Sequence, residues 1–197
     1  MFKSRSRIIS ISILGLLMIS AGLYYLLQEK EQTQINEVID ISTNSLTFED
    51  VDKLDQFSDL IVVGYAKDNF EDREHVISSY EDGALQDFYT KTDIVIEQII
   101  KKPADFPENT KDLTILEPLS LRENKKFTAD GYTELEKGDT NIIFLAQNTF
   151  GDYSLINGSM GKFSLESNSD VMRTFTTQEK TLYQELFDSI VDKYELK

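Results

Sequence analysis

No cysteine occurs anywhere in the 197 residues, tryptophan is also missing, and there are three prolines and one histidine. Without cysteine there is no disulfide to staple the fold, no thiol nucleophile and no residue for lipoprotein acylation, so stability must come from a buried core. One histidine rules out a multi-histidine zinc site. A Ser–His–Asp set would have to use His75, which lies in a charged segment with no nucleophile elbow nearby; an exposed histidine is expected there. Basic residues are scarce too: 20 Lys+Arg stand against 35 Asp+Glu, a formal net charge of −15. Such a field repels nucleic acid and bare anionic lipid, and favours cations or basic partners.

One long stretch has no charge at all. From Ile8 to Leu27 the chain is apolar enough for a helix of about 30 Å, the thickness of a bilayer's hydrocarbon core. Lys3, Arg5 and Arg7 precede it while Glu29 and Glu31 follow, so the positive-inside bias puts residues 1–7 in the cytoplasm and the rest of the chain outside. Tyr24 and Tyr25 suit the outer interface. The alternative is a signal peptide cleaved near Gly22, which would export the same domain as a secreted protein but leave a greasy new terminus at Leu23–Leu27. Ser12, Gly15 and Gly22 lie near one helix face, though not at GxxxG spacing. Beyond the anchor, 17 cations face all 35 acids, formally −18. The expected organisation is a tail (1–7), a transmembrane anchor (8–27), a polar stalk (28–46) and one extracytoplasmic domain (47–197).

Periodicity then sketches the domain. Val38–Ile41 reads as a short strand or as part of a helical stalk. Phe48, Val51 and Leu54 recur on one helical face, with Thr47 and Asp50 as a capping pair and an end near Ser58. Leu60–Ala66 reads as a buried strand with Gly64 at a bulge or close approach. His75–Tyr80 is a hairpin arm before a Glu81-Asp82-Gly83 turn. Leu85–Lys101 is the longest strand candidate: Phe88, Thr90, Thr92, Ile94 and Ile96 alternate with Tyr89, Lys91, Asp93 and Val95. Pro103 and Pro107 stop it, and Leu113–Leu116 is another strand, closed by Pro118. Ser120–Thr133 reads as a charged loop and Asn141–Ala146 as a central strand. Tyr153–Ile156 and Lys162–Leu165 suggest a hairpin around Asn157–Gly158. A helix from about Thr177 to Leu196, capped by Thr176 or Thr177, stacks Leu182, Leu186 and Ile190 for docking onto the sheet. The expected fold is mainly β (α+β): a small OB-like antiparallel barrel with a C-terminal amphipathic helix.

Several blocks are similar to a recurrent bacterial extracytoplasmic domain of the OB or netrin type. They are Leu60-Ile61-Val62-Val63-Gly64, a long strand ending in Lys101-Lys102, and Leu113-Thr114-Ile115-Leu116-Glu117-Pro118. Tyr132-x-x-Leu135-x-x-Gly138-Asp139 before Ile142–Leu145, and Tyr153-x-Leu155-Ile156-x-Gly158-x-x-Gly161-Lys162-Phe163, complete the resemblance, which covers about Ser58 to Glu166. It implies a barrel found on lipoproteins and anchored surface proteins, and its motifs are structural, so no active residue follows from it. This chain departs in carrying Pro103 where a glycine usually follows the lysine, and in lacking a cysteine for lipidation.

Candidate chemistry is thin. Gly158-x-x-Gly161-Lys162 lacks the earlier glycine and the Ser/Thr of a phosphate loop and joins two strands. Asp68, Asn69, Glu71, Asp72 and Glu74 crowd one segment with oxygen ligands suited to calcium, but without EF-hand order. Arg122, Lys125 and Lys126 form a basic cluster that suits wall polymers or lipid headgroups. No catalytic, cofactor-binding or metal residue is therefore assigned. The expectation is a membrane-anchored, cell-surface module that binds an envelope protein or cell-wall partner without catalysis. The alternative is an envelope hydrolase using paired carboxylates. Analogy with netrin-type barrels adds a protease-inhibitor-like role.

Overall fold

The computed structural model describes residues 35–166 and 175–196. The expected anchor over 8–27, its tail and the first part of the stalk lie outside the described residues. Among those described, no helix is long and apolar enough to cross a membrane. In chain order the elements are β1 (Glu37–Ile41), α1 (Val51–Phe57), β2 (Leu60–Ala66), β3 (Glu74–Ser79), β4 (Leu85–Lys101) and β5 (Asp112–Glu117). There follow β6 (Leu119–Arg122), β7 (Lys125–Ala129), β8 (Asn141–Gln147), β9 (Tyr153–Leu155), β10 (Lys162–Ser164) and α2 (Thr177–Tyr194).

Five strands close on themselves in the order β2-β4-β5-β9-β8 and back to β2. Four of the seams are antiparallel, but β5 and β9 run parallel, Ile115 opposite Tyr153. The expected barrel is thus present, though not wholly antiparallel. β4 explains how so few strands close it: 17 residues, about 55 Å of chain, serve β3 with one half and β2 with the other. Its phase is the one the alternation predicts, with Thr90, Thr92, Ile94 and Ile96 buried and Asp93 exposed. β2 and β8 are apolar on both faces because both are covered. Leu60, Val62, Ile143 and Leu145 fill the barrel; Ile61, Val63, Ile142 and Phe144 face an outer layer made by α1 and α2. Closure needs Gly64, where the β2–β4 register shifts and any Cβ would strike the Val95 carbonyl oxygen.

α2 docks as its stripe predicts. Tyr183, Leu186 and Ile190 are buried against Phe163, Phe144 and Leu54, a contribution of about 1.5–3 kcal/mol per side chain. Thr176 and Glu179 form a full capping box at its start. Lys193 and the Tyr194 hydroxyl then tie its last turn to Asp55 of α1, at 3.2 and 2.9 Å.

Of the two alternatives left open for residues 38–41, the strand is the one formed: β1 pairs in parallel with β7. Three local expectations need correction. Asp50 alone caps α1, accepting from Asp52 N and Lys53 N, while Thr47 lies outside the helix. The charged stretch 120–133 is a hairpin, β6–β7, turned by Glu123 and Asn124 at positive φ, as a two-residue type I′ turn requires. Finally, β9 and β10 do not pair with each other. Both lie along one edge of β8, and the six residues between them bulge outward where β8 has only Phe144. Asn157 and Gly158 do adopt positive φ, but to turn this bulge.

Candidate functional site

Two constructions in the connections between strands have more chemistry than the barrel wall. The first plugs one end of the barrel. The β7–β8 connection drops Tyr132 and Leu135 into the core, and Glu117, the last residue of β5, holds them. The inward phase of Leu113 and Ile115 carries on to Glu117, so its carboxylate is fully buried. Oε1 accepts from Arg73 Nη1 at 2.7 Å and Thr92 Oγ1 at 2.5 Å; Oε2 accepts from the Tyr132 hydroxyl at 2.6 Å and Leu135 N at 2.8 Å. Arg73 is equally occupied, donating also to the carbonyls of Asp68 and Leu135. A buried carboxylate with four donors and a paired guanidinium meets the condition for tolerating charge inside a protein.

Lys162 completes the plug. It is 2% exposed, donates to the Glu134 carbonyl and lies 5.1 Å from the centre of the Tyr132 ring. Burial lowers its ammonium from the usual lysine value to about 8, and nearby Arg73 adds to that, against the opposing pull of Glu117 and Glu134. Burial likewise pushes the Tyr132 phenol up, reinforced by Glu117. Burial would raise the Glu134 carboxyl, but Lys126 beside it outweighs that and holds it below its ordinary value. Perturbed groups like these mark catalytic sites when a cleft reaches them. Glu117, Tyr132 and Lys162 are sealed from solvent, so here they fasten the β7–β8 connection to the barrel.

The second construction is open. A cleft of about 520 Å³ lies between the β1–α1 connection and the β9–β10 bulge, with Pro118, Ala129 and Ala146 on its walls. Two side-chain clamps shape it. Asp130 accepts from Thr43 N at 2.9 Å and from the Thr43 hydroxyl, fixing one end of the β1–α1 connection. Asn157 accepts from Phe48 N at 2.7 Å and donates to Phe48 O and Met160 O, each at 3.0 Å, fixing the other end. Stretched between the clamps, Leu46 stays 71% exposed; Phe57, stacked on Phe48 at 4.7 Å, stays 53% exposed. Leu155, Ile156, Met160 and Phe175 make the rest of the lining largely apolar. The bulge comes so close to itself that a Cβ on Gly161 would collide with the Ile156 carbonyl oxygen. Among the described residues, two carboxylates and no cation line the cleft: Asp130, and Glu179 in the first turn of α2. Hydrogen bonds from Thr176 hold the Glu179 carboxyl below its ordinary value, so it stays ionised.

The residues singled out from sequence are placed otherwise. The acidic segment does not converge on an ion: Asp68 gives its carbonyl to Arg73, Asn69 contacts Asp72 at 3.5 Å, and Glu74 pairs with Lys91 at 2.6 Å. Among the described residues, no three His, Asp or Glu side chains are placed to share a metal. His75 is half-buried, not exposed. Its Nδ1 lies 2.9 Å from Thr90 Oγ1, its ring meets Phe70 edge-on, and burial lowers its imidazole. Arg122 and Lys125 stay neighbours as cross-strand partners in the β6–β7 hairpin, but each cation has its own contact: Arg122 lies over Phe127, Lys125 pairs with Glu37 at 2.8 Å, and Lys126 pairs with Glu134.

The clamps join residues 87 and 109 positions apart, so no local pattern marks the cleft. Glu117 did leave a signal, an acid in the inward phase of an alternating strand just before proline. No protein-family model matches the chain, and no curated protein matches it in sequence.

Proposed function

We propose that this chain is a membrane-anchored, extracytoplasmic binding module that works by holding a partner at the cleft, without catalysis. The observation behind this reading is the preformed apolar cleft, whose walls are clamped by Asp130 and Asn157 while Leu46 and Phe57 remain exposed. Large apolar side chains with no covering neighbour among the described residues are what an interface anchor needs, since the ordering entropy is spent before binding. The anchor itself rests on the uncharged stretch Ile8–Leu27 and its flanking charges.

The barrel fits an OB-type arrangement. Numbered along the chain as barrel strands one to five, the order is 1-2-3-5-4 with a parallel seam between three and five. Such barrels serve as scaffolds for many unrelated functions, so the function is argued from the cleft and not from the fold.

Two assays test the reading. The full chain in detergent is expected to turn over neither muropeptides nor envelope glycans; turnover abolished by one Asp or Glu substitution would replace this reading with a hydrolase. Protease added to whole cells is expected to digest the domain; protection until lysis would overturn its external placement.

A further inference from the structure

The partner's chemistry follows from the charge around the cleft, on the reading that the cleft is the binding site. Residues 35–197 hold 16 Lys+Arg against 33 Asp+Glu, formally −17. Of the 14 described cations, eight (Lys67, Lys91, Lys101, Lys102, Lys125, Lys126, Lys193 and Arg73) each pair with a carboxylate, and Lys162 is buried. At the cleft the described residues carry one sign only: Asp130 and Glu179 line it, and among the described residues no cation does. Both carboxylates are fixed by hydrogen bonds to Thr43 and Thr176, so they are preorganised charges at the edge of an apolar surface. The partial positive charge of the α2 N-terminus is about half a unit, less than the full charge of Glu179 lying over it.

We infer that the cleft takes a peptide segment in which apolar side chains are flanked by lysine or arginine, the apolar residues lying against Leu46, Phe57 and Met160 and the cations facing Asp130 and Glu179. Acidic peptides and anionic lipid are disfavoured by the same field, because like charges brought together oppose association. Met160 suits such a site, since an unbranched thioether adapts to more than one apolar shape.

The test uses the full chain in zwitterionic nanodiscs and three synthetic peptides with one Leu/Phe core, flanked by Lys, Gln or Glu. Fluorescence anisotropy is expected to give tightest binding with the Lys flanks and at least about tenfold weaker binding with the Glu flanks. Raising salt should weaken the Lys peptide, and Asp130→Asn, which keeps an acceptor for Thr43, should weaken it by about two- to fivefold. Leu46→Ser should abolish binding. If all three peptides bind equally and still need Leu46, the charge inference fails while the cleft reading stands. If no peptide shows Leu46-dependent binding, both fail. Displacement of the Lys peptide by a short-chain phosphatidylglycerol would give the cleft to lipid and overturn the inference.

Discussion

Replacing Glu117 by glutamine tests whether the plug depends on a buried charge and not on shape, since the amide matches the carboxylate in size. The carboxylate faces only donors, two on each oxygen. Either way round, the new NH2 group meets a donor that cannot reverse: Arg73 N–H on one side, Leu135 N–H on the other. Arg73, whose side chain is 2% exposed, also loses its counter-charge. Breaking a buried ion pair by removing one partner costs about 3–5 kcal/mol. For a domain of this size that lowers Tm by about 6–20 °C, at about 2–4 °C per kcal/mol. Thr92→Val removes one neutral donor and keeps the charge, so it should lose about 1 kcal/mol. Near-UV circular dichroism of the full chain in micelles follows mainly the domain, since seven of the nine tyrosines lie beyond the expected anchor. A Glu117→Gln loss no larger than that of Thr92→Val would refute the reasoning.

Further expectations follow from the same contacts. Lys162 has a folded value of about 8 against 10.5 when unfolded. Between those pH values the unfolded chain binds more protons, so this residue makes stability rise with pH across that window, by at most about 3 kcal/mol. Urea titrations at pH 7–10.5 should show Lys162→Met lacking that rise relative to the parent; identical pH slopes would contradict it. Asn157→Ala loses three hydrogen bonds and a residue tolerant of positive φ, an expected loss of about 2–3 kcal/mol. Asn157→Gly keeps the conformation and should be milder, as thermal melts would show. Gly161→Ala forces the bulge off the Ile156 carbonyl at a cost of about 1–3 kcal/mol, and should weaken peptide binding at the cleft. Asp50→Ala should cost about 1 kcal/mol and Thr47→Ala much less, since only Asp50 caps α1.

Where a residue's phase alone decides its place, the chain could be read directly. Thr90, Thr92, Ile94 and Ile96 point inward because the pleat has a period of two, and Leu186 and Ile190 meet the barrel because a helix repeats near four. The failures occurred where one local signal serves two structures. Positive φ at Asn157 and Gly158 suits a hairpin turn and an outward bulge alike, and only the edge of β8 decides between them. Arg122, Glu123, Asn124, Lys125 and Lys126 read as a loop because their charge hides an alternating strand pair, with Leu119 and Phe127 buried. His75 is surrounded by acids in sequence yet packs on Phe70 in space. The cleft was illegible for a stronger reason: its clamps connect segments about a hundred positions apart, and polar Asn157 and Asp130 look like ordinary turn residues.

The central claim is that a partner is held at the face carrying Leu46. It is tested most directly by placing a photocrosslinking amino acid at position 46, and separately at Tyr80 on the β3–β4 turn, in intact cells. Both positions are exposed, and Tyr80 does not line the cleft. The account predicts a discrete adduct from position 46 that is absent from position 80 and diminished by Asn157→Ala. Equal adducts from both positions, or none from position 46, would contradict it.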